Sequence, residues 1–295
     1  GLFSKQFGLN DLKLCLQEAI NDPNIKGILL NVDDLSAGMA SIEEIRNSLL
    51  ELKEKSGKFI YSYSETYSQS SYYLSSISDE VFLYPTGMLD FRGLGVELMF
   101  FKGAIDKLGI DMQIIRGSNN KFKSAVEPFI YKQMSEENRE QVMTYLNSLW
   151  DNMLTNIKSS RNISIEQMNE IADSIFVRNA PSAVEYKLVD RLVYEDELHD
   201  FLKSKTETPD DDELNLVSFS KYCSSKSKLK KLDFGELGKS GNIAIVNAVG
   251  EIVSGNGERN QIGSEKIAGA VKEARLNSDV KAIVLRVNSP GGSAL

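Results

Sequence analysis

Two short stretches carry the residue types from which a hydrolytic centre can be built. Residues 284–295 read VLRVNSPGGSAL, an apolar strand running into Ser-Pro-Gly-Gly-Ser. Gly291 and Gly292 permit a sharp turn and close approach of a substrate backbone. Amides that follow such a turn point one way and can stabilise an oxyanion. Ser293 is therefore either a nucleophile presented on that turn or one more serine in a glycine loop, and this stretch alone leaves both readings open. A nucleophilic serine needs a base. The single histidine, His199, lies in YEDELHDFLKSK, which reads as a charged surface helix, so a Ser-His-Asp arrangement has no well-placed imidazole. A lysine can replace it if burial keeps the amine neutral. NKFKSAVEPFIY (120–131) offers Lys123 among Phe122, Ala125 and Val126, with Pro128 and Phe129 beyond. Its neighbour Lys121 abuts Asn119-Asn120 and reads as solvated. On residues alone, Lys123 is either that base or a surface lysine before a helix. The two cysteines, Cys15 and Cys223, cannot make a disulfide framework and have no metal-ligand spacing. Cys15 falls on the apolar face of an expected helix and reads as core.

The elements that must position Ser293 occur twice. EAINDPNIKGILLNVDDLSAGM (18–39) and EARLNSDVKAIVLRVNSPGGSA (273–294) match at a constant offset of 255 residues. Each copy ends an amphipathic helix, makes a polar turn and starts a β-branched apolar strand, which suggests a sheet buried on both faces. Ser293 is matched by Gly38, and Gly291-Gly292 by Ser36-Ala37. The copies share a scaffold but not the glycine turn or the hydroxyl. A second copy as long as the first would continue roughly 170 residues past Ser293, so the reading expects a second repeat truncated within this chain.

Between the copies the pattern alternates. SIEEIRNSLLELKEKS (41–56) predicts a helix with a Ser41–Glu44 capping box. KFIYSYS and DEVFLYP predict strands, with a helix opening at SQSSYYLSSIS. GVELMFFKGAIDKLGI predicts an apolar helix and DMQIIRG a strand. MSEENREQVMTYLNSLWDNMLTNIKSSRN (134–162) predicts a long, serine-capped helix with an acidic start. SIEQMNEIAD is another helix, and SAVEYKLVDRLVYEDELHDFLKSK holds a helix, a short apolar run and a final helix. LNLVSFSKY and GNIAIVNAVGEIV open a second strand-rich section, and SGNGERNQIG is a glycine-rich loop before the repeated helix. The aromatics of YSETYSQSSYY are core residues or, alternatively, a peptide platform. The fold class is α/β with parallel pairing. Domain boundaries are expected at 1–205 and 241–295, joined by a linker over 206–240 that includes the acidic TETPDDDE.

The 295 residues are 41% hydrophobic, enough for one large or two smaller cores. Net charge is −8, so no global field attracts nucleic acid, and KSKLKKL (226–232) reads as solvated linker. No apolar run reaches the ~18 residues of a membrane span, and no leader is visible at the start.

FKSAVEPFIYKQMSEENRE together with VKAIVLRVNSPGGSA resembles the signal peptide peptidase A (protease IV) family in its long, tandem-repeat bacterial form. The likeness extends through GLNDLKLCLQEAINDPNIKGILLNV, YSQSSYYLSS and GLGVELMFFKGAIDKLGI. The resemblance implies a crotonase/ClpP-like fold, a stacked spiral of ββα units, and a Ser/Lys dyad split between repeats. The lysine of the family's K-S-A-x-E-P-[FY] motif falls on Lys123 as base, and the serine of S-P-G-G-S falls on Ser293 as nucleophile. By analogy with the fold, the Ala294 amide serves the oxyanion, with Gly263 of the glycine-rich loop as a second donor. Ser124 and Glu127 either orient the lysine or cap a helix start. The family further implies a homo-oligomer, with a tetramer as one size, anchored at the bacterial cytoplasmic membrane through a segment outside this chain and facing the periplasm or exterior. Its substrates are cleaved signal peptides, and it uses no metal or organic cofactor. Two other readings share the sequence: a crotonase-like acyl-CoA enzyme, and a non-catalytic membrane scaffold that oligomerises through its repeats.

Overall fold

The computed structural model describes residues 8–35, 37–115, 120–230, 242–258 and 260–293. The chain forms two compact units, 1–228 and 229–295. Part of the 206–240 interval expected to be linker is helical, as described below.

The first unit begins with α1 (Leu9–Asn21), β1 (Gly27–Leu30), α2 (Met39–Ser56), β2 (Phe59–Tyr67), α3 (Gln69–Ser75) and β3 (Glu80–Leu89). It continues with α4 (Lys102–Lys107), α5 (Glu127–Ile130), α6 (Glu136–Ser160), α7 (Ile165–Asp173), α8 (Ala180–Glu185), β4 (Arg191–Leu192), α9 (Glu195–Thr206) and α10 (Phe219–Lys230). The sheet runs β1-β2-β3-β4, parallel at every pairing. Alternation along the strands fills both of its faces. Ile60, Val81 and Leu83 join Ile42, Leu49 and Leu52 of α2 and Met153, Leu154 and Ile157 of α6 in one apolar cluster. Tyr61, Tyr63 and Phe82 point the other way, onto Leu198 and Leu202 of α9. Each such side chain contributes about 1.5–3 kcal/mol on full burial. Tyr63, Tyr67, Tyr72 and Tyr73 are all buried, so the tyrosine-rich stretch is core.

Polar groups fix how the helices meet this sheet. Arg46 of α2 is 1% exposed. Its guanidinium donates to Tyr73 O (3.2 Å) and Ser76 Oγ (3.1 Å) at the end of α3, and to Asn156 O (2.6 Å) and Ser160 Oγ (2.7 Å) at the end of α6. Those helix ends present unpaired carbonyls and a partial negative charge. Burial pulls the Arg46 pKa down to about 10, which leaves it charged at neutral pH. Arg161, after α6, grips Asp190 through two nitrogens at 2.8 and 2.9 Å.

Several expectations are corrected. Only Lys102–Lys107 of the expected apolar helix is helical, and 111–115 forms no strand. Val96, Met99, Leu108 and Ile115 are exposed, and short helices gain most of their stability from packing that this stretch lacks in unit 1. The cap of α2 is Gly38, which puts Ser41 inside the helix, while Glu44 pairs with Lys13 at 2.6 Å. LNLVSFSKY is irregular over 214–218 and then enters α10, which also takes in 226–230. Cys15 is buried as expected, but it is bonded to Cys223 of α10 with the Cα atoms 5.5 Å apart. The bond spans 208 residues, for which the chain-entropy account gives a stabilisation of about 5 kcal/mol.

The second unit holds β5 (Asn242–Val249), β6 (Glu251–Val253), β7 (Gln261–Gly263), α11 (Ser264–Leu276) and β8 (Val280–Asn288). β5 pairs with β8 and β6 with β7, both parallel. The repeat extends to local detail. α1 and α11 each have 13 residues and a glycine cap, and their bounds differ by the 255-residue offset. After each, a side-chain carboxyl or amide oxygen accepts the amide two residues on: Asp22 from Asn24 at 3.0 Å and Asn277 from Asp279 at 2.9 Å.

Candidate active site

Ser293 is placed by its backbone. β8 ends at Asn288, whose carbonyl accepts the Gly250 amide at 3.0 Å. Ser289 Oγ accepts the Gly291 N–H at 3.1 Å and closes the turn. The loop then lies along β6: the Ile252 N–H donates to Gly291 O and the Ser293 N–H donates to Ile252 O, both at 2.9 Å. Gly292 is the residue bridged to Ile252. A Cβ at 292 would stand 2.2 Å from Ile252 O, and φ there is +145°, a combination only glycine accommodates. The residue before Ser293 must therefore lack a side chain for the loop to reach β6. Ser293 is half-buried.

The matching position in the first copy is built differently. Gly38 caps α2 with φ −65° and ψ 146°, and nothing lies within 4 Å of where its Cβ would be. A serine would fit at 38. The first copy lacks the hydroxyl for a reason other than space.

Gly263 ends β7 and is buried under the Gly255–Asn256 backbone, which would sit 2.0 Å from its Cβ. β7 pairs with one edge of β6, while the Ser293 loop lies on the other. Two strand spacings, roughly 10 Å, separate Gly263 from Ser293. An oxyanion donor must approach within about 3 Å, and this geometry does not favour Gly263. Ala294 lies outside the described residues.

Lys123 belongs to the first unit, in a turn where its amide donates to Asn120 O at 2.9 Å. The lysine is exposed, and Phe122 and Ala125 beside it are exposed too. Two open grooves of the unit, along α4–α5 and over the β3 bulge, do not include Lys123 in their walls. The apolar enclosure that a lysine base requires is not formed by its immediate neighbours in unit 1. Ser124 supplies the carbonyl that accepts the Glu127 amide at 3.0 Å. Glu127 is 2% exposed, and its carboxylate caps not its own short helix but the start of α6. Ser135 Oγ donates to it at 2.5 Å, Ser135 N–H at 3.2 Å and Asn138 Nδ2 at 2.8 Å. Ser135 is the cap that the sequence predicts for this helix, whereas the partnership of Glu127 with Asn138 and the seat at Ile252 carried no signal in the sequence. Nothing local pairs Ile252 with a loop 40 residues away. His199 is exposed on α9. No group of His, Cys, Asp and Glu side chains suited to a metal occurs among the described residues, nor any helix long and apolar enough to cross a membrane.

The sequence pattern of peptidase family S49 matches residues 52–208. The chain belongs to this family. Among curated relatives, Protease 4 of Salmonella typhi is 34% identical over 298 residues, covering 97% of this chain and 46% of that protein. Protease 4 of Haemophilus influenzae is 31% identical over 293 residues, covering 96% and 46%. The chloroplastic serine protease SPPA of Arabidopsis thaliana is 32% identical over 297 residues, covering 99% and 43%. The chain thus spans about half the length of the curated relatives it matches.

Proposed function

We propose that this S49 chain contributes both halves of a Ser/Lys dyad to a serine endopeptidase, with Ser293 as nucleophile and Lys123 as base. The observation that carries the reading is the fastening of Ser293 to β6 through a glycine that no other residue can replace. Family membership and the protease names of the relatives support it. Lys123 takes the Ser293 Oγ proton as Oγ attacks the peptide carbonyl. The tetrahedral oxyanion is met by the Ala294 amide. Its collapse expels the amine, which takes the proton from the lysine ammonium, and leaves Ser293 acylated. Lys123 next draws a proton from water as the water oxygen attacks the ester, and the acid product leaves with Ser293 reprotonated. No metal or organic cofactor enters these steps.

The finer fold is a crotonase/ClpP-like spiral, supported by the parallel βαβ succession and the doubled αβ unit. The substrates are signal peptides left after preprotein processing, bound extended along a strand edge. The whole protein works as a homo-oligomer at the bacterial cytoplasmic membrane, with its catalytic face toward the periplasm or exterior.

The test is fluorophosphonate labelling of the intact protein beside Ser293→Ala and Lys123→Ala. Labelling should map to Ser293 and fall by about 10²–10⁴ without Lys123. Equal labelling in Lys123→Ala moves the base elsewhere. Acyl-CoA turnover that survives Ser293→Ala would replace the peptidase reading altogether.

A further inference from the structure

The segment that carries Lys123 has almost no apolar support. From Arg92 to Asn152, the buried residues among those described are Glu127 and Asn138, both polar. They are bonded to each other, Asn138 Nδ2 to Glu127 Oε2 at 2.8 Å. The carboxylate also accepts the hydroxyl and the amide of Ser135, the residue that caps α6. A buried carboxylate costs energy unless donors surround it. Here the donors are the first turn of a 25-residue helix, whose partial positive charge favours an anion.

The main chain links that anchor to Lys123. Lys123 N–H donates to Asn120 O at 2.9 Å, Glu127 N–H to Ser124 O at 3.0 Å, Phe129 N–H to Val126 O at 3.1 Å and Tyr131 N–H to Glu127 O at 2.9 Å. The run from 120 to 131 is thus a series of turns tied to α6 by the buried Glu127 carboxylate and by an ion pair of the exposed Lys121 with Glu137 at 3.6 Å, and to the start of α4 by the Phe101 N–H on Pro128 O at 2.7 Å. α6 is tied to the core at its other end by Met153, Leu154 and Ile157 and by the Arg46 bonds. Lys123 stands four residues from the clamp, while the apolar side chains of its own turn, Phe122, Phe129 and Tyr131, are exposed.

We propose that Glu127 is a positioning residue for Lys123, a carboxylate clamp that does for this turn what a hydrophobic core does elsewhere in the unit. The proposal rests on the reading of Lys123 as the base. It assigns Glu127 no contact with substrate.

The experiment compares peptide hydrolysis by the intact protein with Glu127→Ala, Glu127→Gln, Asn138→Ala and Lys123→Ala, alongside amide exchange over 120–131. Glutamine can accept two of the donors at its carbonyl and donate its amide to Ser135 Oγ, so Glu127→Gln should rescue most activity. Glu127→Ala should lower kcat about a hundredfold, the scale of a misplaced catalytic group. Its KM should change little, exchange over 120–131 should rise, and the melting temperature should hold because the apolar core is untouched. Asn138→Ala, which removes one bond and leaves the carboxylate, should fall between. If Glu127→Ala keeps wild-type kcat and exchange while Lys123→Ala is inactive, the clamp is overturned and the base stands. A Glu127→Ala that loses kcat only together with melting temperature, with no rescue by glutamine, is merely structural and also overturns it. An active Lys123→Ala overturns the base assignment, and this inference with it.

Discussion

The two copies of the αβ unit start from one pattern and end with different surroundings. In the first, β1 runs beside β2 in a sheet buried on both faces, and the Phe59 ring lies 2.2 Å from where a Cβ on Gly27 would be. The second copy has Ala282 at that position, in a strand paired with β5. There the apolar residues Val284, Leu285 and Val287 are 48, 50 and 58% exposed. Helix length, cap residue and turn are inherited by both copies. Burial, glycine choice and chemistry are decided by the neighbours each strand acquires. The clearest case is the loop after the strand: Gly292 must be glycine because β6 is beside it, whereas Gly38 need not be.

The strongest way to break that comparison is to exchange the glycines. Gly292→Ala drives a methyl group into Ile252 O and should slow labelling of Ser293 at least about a hundredfold, with no change in the melting of unit 1. The reciprocal Ala37→Gly should leave labelling as it was. Labelling at the native rate in Gly292→Ala would mean that the seat on β6 does not position Ser293 for reaction.

A second test uses the turns. Asp22 and Asn277 are counterparts, but only Asp22 carries charge. Lys226, the Asn24 amide and the Tyr222 hydroxyl hold the Asp22 carboxyl down to about 2, from an ordinary value of 3.8. A carboxylate depressed on folding adds stability that is full above its unfolded value and fades as pH falls through the folded one. Exchange protection in α10, taken relative to the intrinsic rate at each pH, should therefore fall as pH drops from 3.8 toward 2, and Asp22→Asn should remove the step and lower protection already at neutral pH. The matching turn at Asn277 should show no such step.

The smallest effect sharpens the comparison from the other side. Gly38→Ser puts the hydroxyl of the second copy into the first, at the cap of α2, where serine outranks glycine by a few tenths of a kcal/mol. Unit 1 should become slightly more stable in urea, and the new serine should take no fluorophosphonate. Labelling at 38 would show that a hydroxyl after this strand suffices without the glycine turn.

The candidate residues of the proposed site were legible one segment at a time. Ser293 and Lys123 stood out because their residue types and flanks could do chemistry, and the family resemblance paired them. β1, β2, β3, β5 and β8 also emerged, since near-continuous apolar runs survive whatever packs on them, but LNLVSFSKY and the described part of DMQIIRG did not become strands. The 94–115 stretch misled because its apolar pattern shows that a segment is to be covered but not by what. Without that cover in unit 1, most of it is not helical. Ser41 misled because the helix started three residues earlier, on a glycine with suitable backbone angles.

By itself, then, the sequence determined the αβ unit, its repetition at 255 residues and the family, because these depend on local periodicity and order along the chain. Tertiary structure alone decided that Cys15 meets Cys223, that Ile252 seats Ser293 and that Glu127 clamps the start of α6. Each is a pairing of groups far apart in sequence or turned toward each other only by the fold. A bond of that kind has no signature in its own neighbourhood, because its energy depends on where a second segment has been placed.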